Sequence, residues 1–250
     1  MHEHELWVTA LFNDHLAGVA NAILIAVGQP EQVRPWANYI TMELVVAAFI
    51  VVLFGALKPR LSMDRPGGLQ HAMEGIHGFL GDNARDNIHH GHRRHIAFCG
   101  AIFFFVLCSN LIGVIPTFES PTMFPPVPAG LALAVFLYYN IQGFIEGGIG
   151  YLKQFTGPSM GLGSIGNFVM GVAMIPIEVI SHCARPISLT IRLFANMFAG
   201  EQVTLVFLSM TYLLAPAAFM GLHVFVSLVQ AYVFALLTMI YVGMAVSHDH

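Results

Sequence analysis

Residues 177–202 read IEVISHCARPISLTIRLFANMFAGEQ, and this stretch decides the fold. It lies inside apolar sequence that continues from residue 166 to residue 214 almost without a loop. A helix of that length would measure about 75 Å at ~1.5 Å per residue. That is more than twice the ~30 Å thickness of a bilayer's hydrocarbon core. The segment 166–214 therefore forms either two membrane spans or one strongly tilted helix.

The composition of the whole chain indicates a membrane protein. Hydrophobic residues make up 56% of the 250 residues and charged residues only 10%, and the mean hydropathy is +0.71. A soluble domain with so few charges could not cover its surface, whereas a protein inside a bilayer has no such need. The net charge of -4 does not favour nucleic acid as a partner. We predict an all-α, polytopic membrane protein.

Four further segments are apolar and long enough to cross a bilayer, which takes about 20 residues. Together with the long segment they give about five crossings in a single membrane domain. Residues 1–36 form an N-terminal segment on the outer side with a helix at the interface. The four segments are 37–57, 96–115, 127–145 and 217–246.

The distribution of basic residues predicts the orientation. The loop from Lys58 to His95 holds six of the ten basic residues, whereas the loop from Pro116 to Pro126 holds none. By the positive-inside rule the first loop is cytoplasmic. With five crossings, the N-terminus is outside and the C-terminus is cytoplasmic. Within this loop, apolar residues at helical spacing predict an amphipathic helix over 68–90 on the membrane surface; they are Leu69, Met73, Ile76 and Leu80.

One polar stripe runs along the long segment. At ~100° per residue its six members fall within roughly 80° of one another. An arginine at mid-depth costs at least ~2.5–3.5 kcal/mol, so such a residue usually has a task and a partner. A guanidinium keeps its proton in proteins, so Arg192 can attract a carboxylate but cannot relay protons. The less specific alternative is a structural ion pair of Arg192 with Glu178 or Glu201. The members are Glu178, His182, Arg185, Leu189, Arg192 and Asn196.

A second group of polar residues faces away from this stripe. Glu201 lies nine residues beyond Arg192, which is about 180° around the helix. On the last apolar segment, His223 and Gln230 are seven residues apart and share one face. A glutamate and a histidine close together in hydrocarbon can pass protons at neutral pH. For His223 alone, a buried histidine satisfied by a neighbour would be the simpler interpretation; paired with Glu201, a proton relay is favoured.

The block from Ser188 to Glu201, SLTIRLFANMFAGE, resembles the signature S-L-x-x-R-L-F-x-N-M-x-A-G-E of the subunit a family of ATP synthases. The similarity extends to Pro176-Ile177-Glu178 upstream, and to His223 and Gln230 downstream. The run from Asn110 to Pro116, NLIGVIP, is similar to the end of the family's second membrane helix.

The resemblance implies a subunit that carries ions past a rotating ring of c subunits, with partners that include the ring, b-type peripheral stalk subunits and the rest of the F-type complex. It implies that the last two helices form a long, tilted hairpin. It also implies that Arg192 is the stator charge facing the ring carboxylates, and that Arg185 has a structural role. A bacterial plasma membrane is the implied location. Residues implied for an outer proton path are Glu201, His223, Gln230, Asn196 and Asn110. Residues implied for an inner path are Glu178, His182 and Ser188.

The sequence contains no P-loop motif, so we expect no catalytic site in this chain, and we expect neither a cofactor nor a metal. The proline-rich stretch PTFESPTMFPPVPAGLA after Ile115 departs from the family pattern, so the resemblance assigns no role to Glu119.

Two other classes of protein remain as alternatives. A proton- or cation-coupled secondary transporter would also carry intramembrane Arg, Glu and His, although such proteins commonly show internal repeats, and none is visible here. A membrane metalloenzyme is suggested by the run His89-His90-Gly91-His92 with His95. A basic interfacial loop explains the same residues.

Overall fold

The computed structural model describes residues 5–26, 28–62, 67–88, 91–115, 117–148, 151, 163–210 and 214–246; for 163–173, 210 and 214–216 it describes the backbone alone. These residues form seven α-helices, three short 3₁₀ turns and no strand, so the predicted all-α class is confirmed. The helices are α1 (Trp7–Ala26), α2 (Asn38–Leu57), α3 (Gly68–Asn87), α4 (His92–Leu111), α5 (Pro126–Gly147), α6 (Gly163–Met210) and α7 (Leu214–Val246).

Within the described residues, six helices are long and apolar enough to cross a membrane. Five correspond to the segments that the sequence predicts as crossings, namely α2, α4, α5, α6 and α7. The sixth is α1, which the sequence predicts to lie at the interface. Helix α3 is not among the six. The chain is therefore a multi-pass helical membrane protein.

The long apolar segment forms one helix rather than two spans. Helix α6 runs for 48 residues, from Gly163 to Met210, and continues through Pro176 and Pro186. At ~1.5 Å per residue it measures about 72 Å. Such a length fits a ~30 Å hydrocarbon core only at a strong tilt or with its ends outside the bilayer. The tilt itself stays a prediction.

The chain divides into two compact units, and α4, α6 and α7 each contribute to both. One unit comprises Met1–Leu61, Phe104–Val127 and Phe194–Gln230. The other comprises Ser62–Phe103, Pro128–Leu193 and Ala231–His250. We call them the first unit and the second unit.

In the first unit, residues 28–38 run back alongside α1. Asn21 and Gln32 exchange two hydrogen bonds of 3.0 and 3.1 Å. Eight residues earlier on α1, the Asn13 side chain accepts from the Trp36 backbone N–H at 2.9 Å. At the start of the helix, the Leu6 N–H donates to Asn38 Oδ1 at 3.3 Å. The residues 28–34 remain exposed throughout this return, and α2 therefore begins beside the start of α1.

In the second unit, α3 is docked against α4 and α7. Leu80 is almost completely buried and lies near Gly100 of α4. The Tyr232 hydroxyl of α7 donates to Asn83 Oδ1 at 3.1 Å. Near the end of α7, Gly243 lies so close to the end of α3 that a Cβ at this position would be 2.1 Å from the Asn87 carbonyl oxygen. Only glycine permits this approach of the two backbones.

Residues 28–34, which run back alongside α1, predict where α1 lies relative to the membrane. Exposed irregular backbone does not occur in the hydrocarbon core, since its N–H and C=O groups would lack partners. We therefore expect residues 28–34 and α1 to lie outside the hydrocarbon on the outer face. A cysteine at Val33, which is 94% exposed, should react with a membrane-impermeant maleimide only from the outer side. Ala72→Cys on the exposed face of α3 should react only from the cytoplasmic side. Labelling of Val33→Cys from the cytoplasm, or none from either side, would contradict this position.

Replacing Gly243 by alanine should weaken the docking of α3. The added methyl group overlaps the Asn87 carbonyl, and overpacking of this kind typically costs about 1–3 kcal/mol. We expect a lower thermal unfolding temperature for the purified protein in detergent. Gly221→Ala on the same helix is the matched control, because a Cβ there meets nothing within 4 Å and alanine favours a helix by roughly 1 kcal/mol. Equal unfolding temperatures for both variants would refute the close approach.

Candidate functional site

His182 lies at the centre of a polar cluster in the second unit. Its side chain is buried, with 9% of its surface exposed, on the face of α6 that packs into the protein. The Nε2 atom is 3.0 Å from Asn140 Oδ1 and 3.3 Å from the Tyr139 hydroxyl, both on α5. The Tyr151 hydroxyl donates to the same Asn140 oxygen at 3.1 Å. A side chain from α6 and one from the segment after α5 thus meet at one amide on α5.

Tyr151 lies beyond the end of α5 and outside the candidate spans. Its ring packs directly on Gly143, where a Cβ would come within 2.5 Å of a ring carbon. Burial raises the pKa of the Tyr151 hydroxyl, and the nearby Glu178 carboxylate adds to this, while Arg185 opposes it. The hydroxyl therefore keeps its proton at physiological pH and acts as a donor.

Arg185 and Glu178 lie two turns apart on α6. Their side chains form an ion pair with an N–O distance of 3.9 Å. The guanidinium of Arg185 also lies over the ring of Tyr241 on α7, 5.4 Å from the ring centroid. A cation over an aromatic face is stabilised by about 0.5–2 kcal/mol. Arg185 is therefore held by two partners.

Arg192 differs from Arg185 in its surroundings. It is exposed, whereas Leu189 and Leu193 beside it on α6 are almost completely buried. In the described part of the chain, Arg192 makes no hydrogen bond or ion pair. The alternative of a structural ion pair with Glu178 or Glu201 does not occur among these residues, and Glu178 pairs with Arg185 instead. Ser188 is also exposed, one turn before Arg192.

A second polar cluster lies in the first unit. Asn196 Nδ2 donates to Gln230 Oε1 of α7 at 2.8 Å. The side chains of His223 and Gln230 are buried on one face of α7, with Ser227 between them in the sequence. Asn110 at the end of α4 is fully buried and accepts from the Thr122 hydroxyl at 2.6 Å. Its backbone interacts with the His223 imidazole.

Several buried polar atoms of this cluster have no hydrogen-bond partner among the described residues. Most buried polar groups in folded proteins are paired, and exceptions commonly mark a water site or a functional site. Here five exceptions occur in two helices of one unit, which indicates a place where water or an ion enters. The atoms are Ser109 Oγ, Asn110 Nδ2, His223 Nε2, Ser227 Oγ and Gln230 Nε2.

The structure brings Glu201 and His223 near each other but does not join them. The His223 ring packs against Gly200, the residue before Glu201. No hydrogen bond links the two side chains within the residues that the structure describes. Glu119 interacts electrostatically with Glu201 and accepts from Asn38 Nδ2 at 3.4 Å. The proline-rich segment thus places a second carboxylate near Glu201.

The proposed alternative of a metal site in the histidine loop gains no support. His89 and His90 lie outside the described residues. His95 is completely buried on α4, and its Nδ1 is 2.9 Å from the Tyr138 hydroxyl. Among the described residues, no group of three metal-binding side chains occurs.

Sequence reasoning missed four contributors to these clusters: Tyr139, Asn140, Tyr151 and Tyr241. Three of them are tyrosines in or next to apolar sequence, which by themselves are ordinary interface residues. Asn140 gave the best signal, because an amide in the middle of a predicted span requires a partner.

The fold and these clusters define a polytopic helical membrane protein with polar groups built into its membrane helices. The family model of the ATP synthase A chain matches residues 40–243. A protein of Solibacter usitatus named ATP synthase subunit a is 58% identical over 96% of this chain and 100% of its own length. A protein of the same name from Koribacter versatilis is 43% identical over 99% of both chains. Another from a Sulfurihydrogenibium species is 35% identical over 84% of this chain and 98% of its own.

The chain therefore belongs to the ATP synthase A chain family. The family membership predicted from the block around Arg192 is confirmed.

Gly200→Ala should impair ion transport through the position of His223. The new Cβ would lie 3.1 Å from the imidazole Nδ1, so the buried ring must shift by a few tenths of an ångström. We expect slower ATP-driven acidification by inverted vesicles that contain equal amounts of assembled complex. Gly221→Ala, on α7 but in open space, should pump like the wild type. Normal pumping by Gly200→Ala would show that the ring position does not matter.

Proposed function

We propose that this chain is the stator subunit of a rotary F-type ATP synthase and forms two offset half-channels. One conducts protons from the outer side to the carboxylates of a c-ring, and the other conducts them from the ring to the cytoplasm. The proposal rests on the family membership together with the state of Arg192, an exposed cation without an ion pair in the described part of the chain.

The exposed face of α6 supports contact with another protein or with lipid. Around Arg192, the apolar side chains of Ile187, Ile191 and Phe198 are all more than two-fifths exposed. A lone guanidinium in such a face is costly unless an anion meets it. A carboxylate on each c subunit would supply that anion in turn. Because the guanidinium cannot release a proton, it would favour the ionised carboxylate and block direct leakage.

The outer path is proposed to follow the cluster of the first unit. It contains four residues that the family resemblance implies, and five buried polar atoms there lack partners among the described residues. The four are Asn110, Asn196, His223 and Gln230. Water in this cluster would satisfy those atoms and connect Glu201 with His223. Glu119 joins the path as a second carboxylate. The segment 116–126 of this unit carries no basic residue, which agrees with an outer location.

The inner path is proposed to follow the cluster of the second unit. Glu178 is half-buried and His182 is buried in the same unit as α3, which carries Arg85 and is followed by Arg93 and Arg94. The positive-inside rule assigns these basic residues to the cytoplasm. Ser188 lies between His182 and Arg192 in the sequence and would line the end of this path.

Energetics explain why a ring is needed. A potential of 100 mV supplies only about 2.3 kcal/mol for each charge that crosses. That is too little for one ATP, so the work of several protons must be combined mechanically. A proton must also neutralise each ring carboxylate before it faces lipid, because a bare charge there is costly. The proposed partners are thus the c-ring and the b-type subunits that would hold this chain still, in a bacterial plasma membrane.

Arg192→Ala tests the proposal. Without the stator charge, the ring carboxylates lose the partner that favours their ionised form, and ATP-driven acidification of inverted vesicles should be abolished. The amount of assembled complex must equal that of the wild type. Arg85→Ala, at an exposed position on α3, is the matched control and should still pump. Pumping at the wild-type rate by assembled Arg192→Ala would sink the proposal and favour a transporter of another kind.

A further inference from the structure

The amide of Asn140 is held in one orientation. Its Nδ2 donates to the Phe136 carbonyl oxygen at 2.7 Å, one turn back on α5. The Oδ1 atom consequently points towards Tyr151 and His182, at 3.1 and 3.0 Å. The opposite orientation would lose the first hydrogen bond and bring the amide oxygen against the Phe136 carbonyl oxygen.

An amide oxygen accepts hydrogen bonds but cannot donate them. The contact with Asn140 Oδ1 therefore requires that His182 carries a proton on Nε2. In a neutral imidazole only one nitrogen is protonated, so the lone pair is then on Nδ1. A hydrogen bond to one ring nitrogen commonly decides which tautomer a functional histidine adopts.

Two glycines shape the backbone around this contact. Gly148, with φ of +52°, permits the turn that follows α5. Gly143 has no side chain where the Tyr151 ring packs. Both positions therefore favour glycine. Tyr151 then occupies the second lone pair of Oδ1 and fixes the amide further.

We propose that Asn140, supported by Tyr151, is a positioning residue that keeps His182 in the Nε2–H tautomer, so that Nδ1 is the atom that takes up and releases protons. The proposal rests on the role proposed above for His182 in the inner path. A proton arriving at Nδ1 gives an imidazolium with both nitrogens protonated. Its departure from Nδ1 to water restores the neutral ring. The hydrogen bond from Nε2 to Asn140 persists throughout, so no proton is lost along it.

Within the part of the chain that the structure describes, ionisable groups surround His182 from α5, α6, α7 and the segment after α5. They are Tyr139 of α5, Tyr151 after α5, Glu178 and Arg185 of α6, and Tyr241 of α7. Among these groups, the Tyr139 hydroxyl contacts Nε2 itself, at 3.3 Å. Replacing Asn140 by leucine removes the acceptor of the Nε2–H group and leaves the charge and the size of the side chain nearly unchanged.

The test compares variants of the whole complex in inverted vesicles, with ATP-driven acidification measured against the pH of the outer medium. Asn140→Leu removes the acceptor and should lower the rate about tenfold, as is typical when a residue that orients a histidine is lost. Asn140→Asp keeps an acceptor but adds a negative charge that favours the imidazolium, so its pH optimum should rise by about one unit. Tyr151→Phe should lower the rate less than Asn140→Leu does.

Gln142→Leu is the matched control. It removes a buried amide from the same helix, and its Oε1 has no hydrogen-bond partner among the described residues. Its rate and pH optimum should equal those of the wild type. If Asn140→Leu fails to assemble, the pH optimum of Asn140→Asp decides alone.

Three results would overturn the inference: a wild-type rate for Asn140→Leu, an unshifted pH optimum for Asn140→Asp, or equal losses for Asn140→Leu and Gln142→Leu. The last would mean that Asn140 only fills space. These outcomes are separate from failure of the proposed function, which pumping by Arg192→Ala would reveal. If Arg192→Ala stops pumping while both Asn140 variants behave as wild type, only the inference about His182 is wrong.

Discussion

The cost of a polar group in hydrocarbon governs the rest of this structure. Helix α6 carries two arginines and two glutamates among apolar residues, and each must find a partner or a use. Arg185 finds Glu178 and the Tyr241 ring, whereas Arg192 remains exposed. The residues of the polar stripe therefore lie on two sides of α6, the face that packs into the protein and the exposed face. His182 lies on the packed side and Arg192 on the outward side, which suits a helix that serves both its own chain and a neighbour.

The two polar clusters differ in how well they are satisfied. Around His182, hydrogen bonds of 3.0–3.3 Å join side chains from α5, α6 and the segment after α5. Around His223 and Gln230, buried donors and acceptors remain unpaired among the described residues. A satisfied network fixes tautomers and orientations, whereas an unsatisfied one invites water. In the proposed function, the inner proton path would depend on the placement of its side chains. The outer path would depend on water bound between its polar groups.

Much of the fold can be predicted from the amino-acid sequence alone. The length and hydropathy of each segment predict the membrane helices, because the bilayer sets the number of residues needed. The block around Arg192 predicts the family through its resemblance to a known signature. Sequence reasoning could not find the return of residues 28–38 along α1, since the hydrogen bonds of Asn13 and Asn21 depend on a loop conformation. It also missed the meeting of Asn140 with His182, because 42 residues separate them and their faces depend on the rotation of two helices.

The docking of α3 has a consequence for the order in which the protein can mature. Asn83 and Tyr232 are 149 residues apart in the chain, and Gly243 meets Asn87 only when the last helix is nearly complete. During synthesis, α3 therefore lacks its contacts with α7 until α7 has been made. Gly243 therefore ties the docking of α3 to a helix that is synthesised much later in the chain.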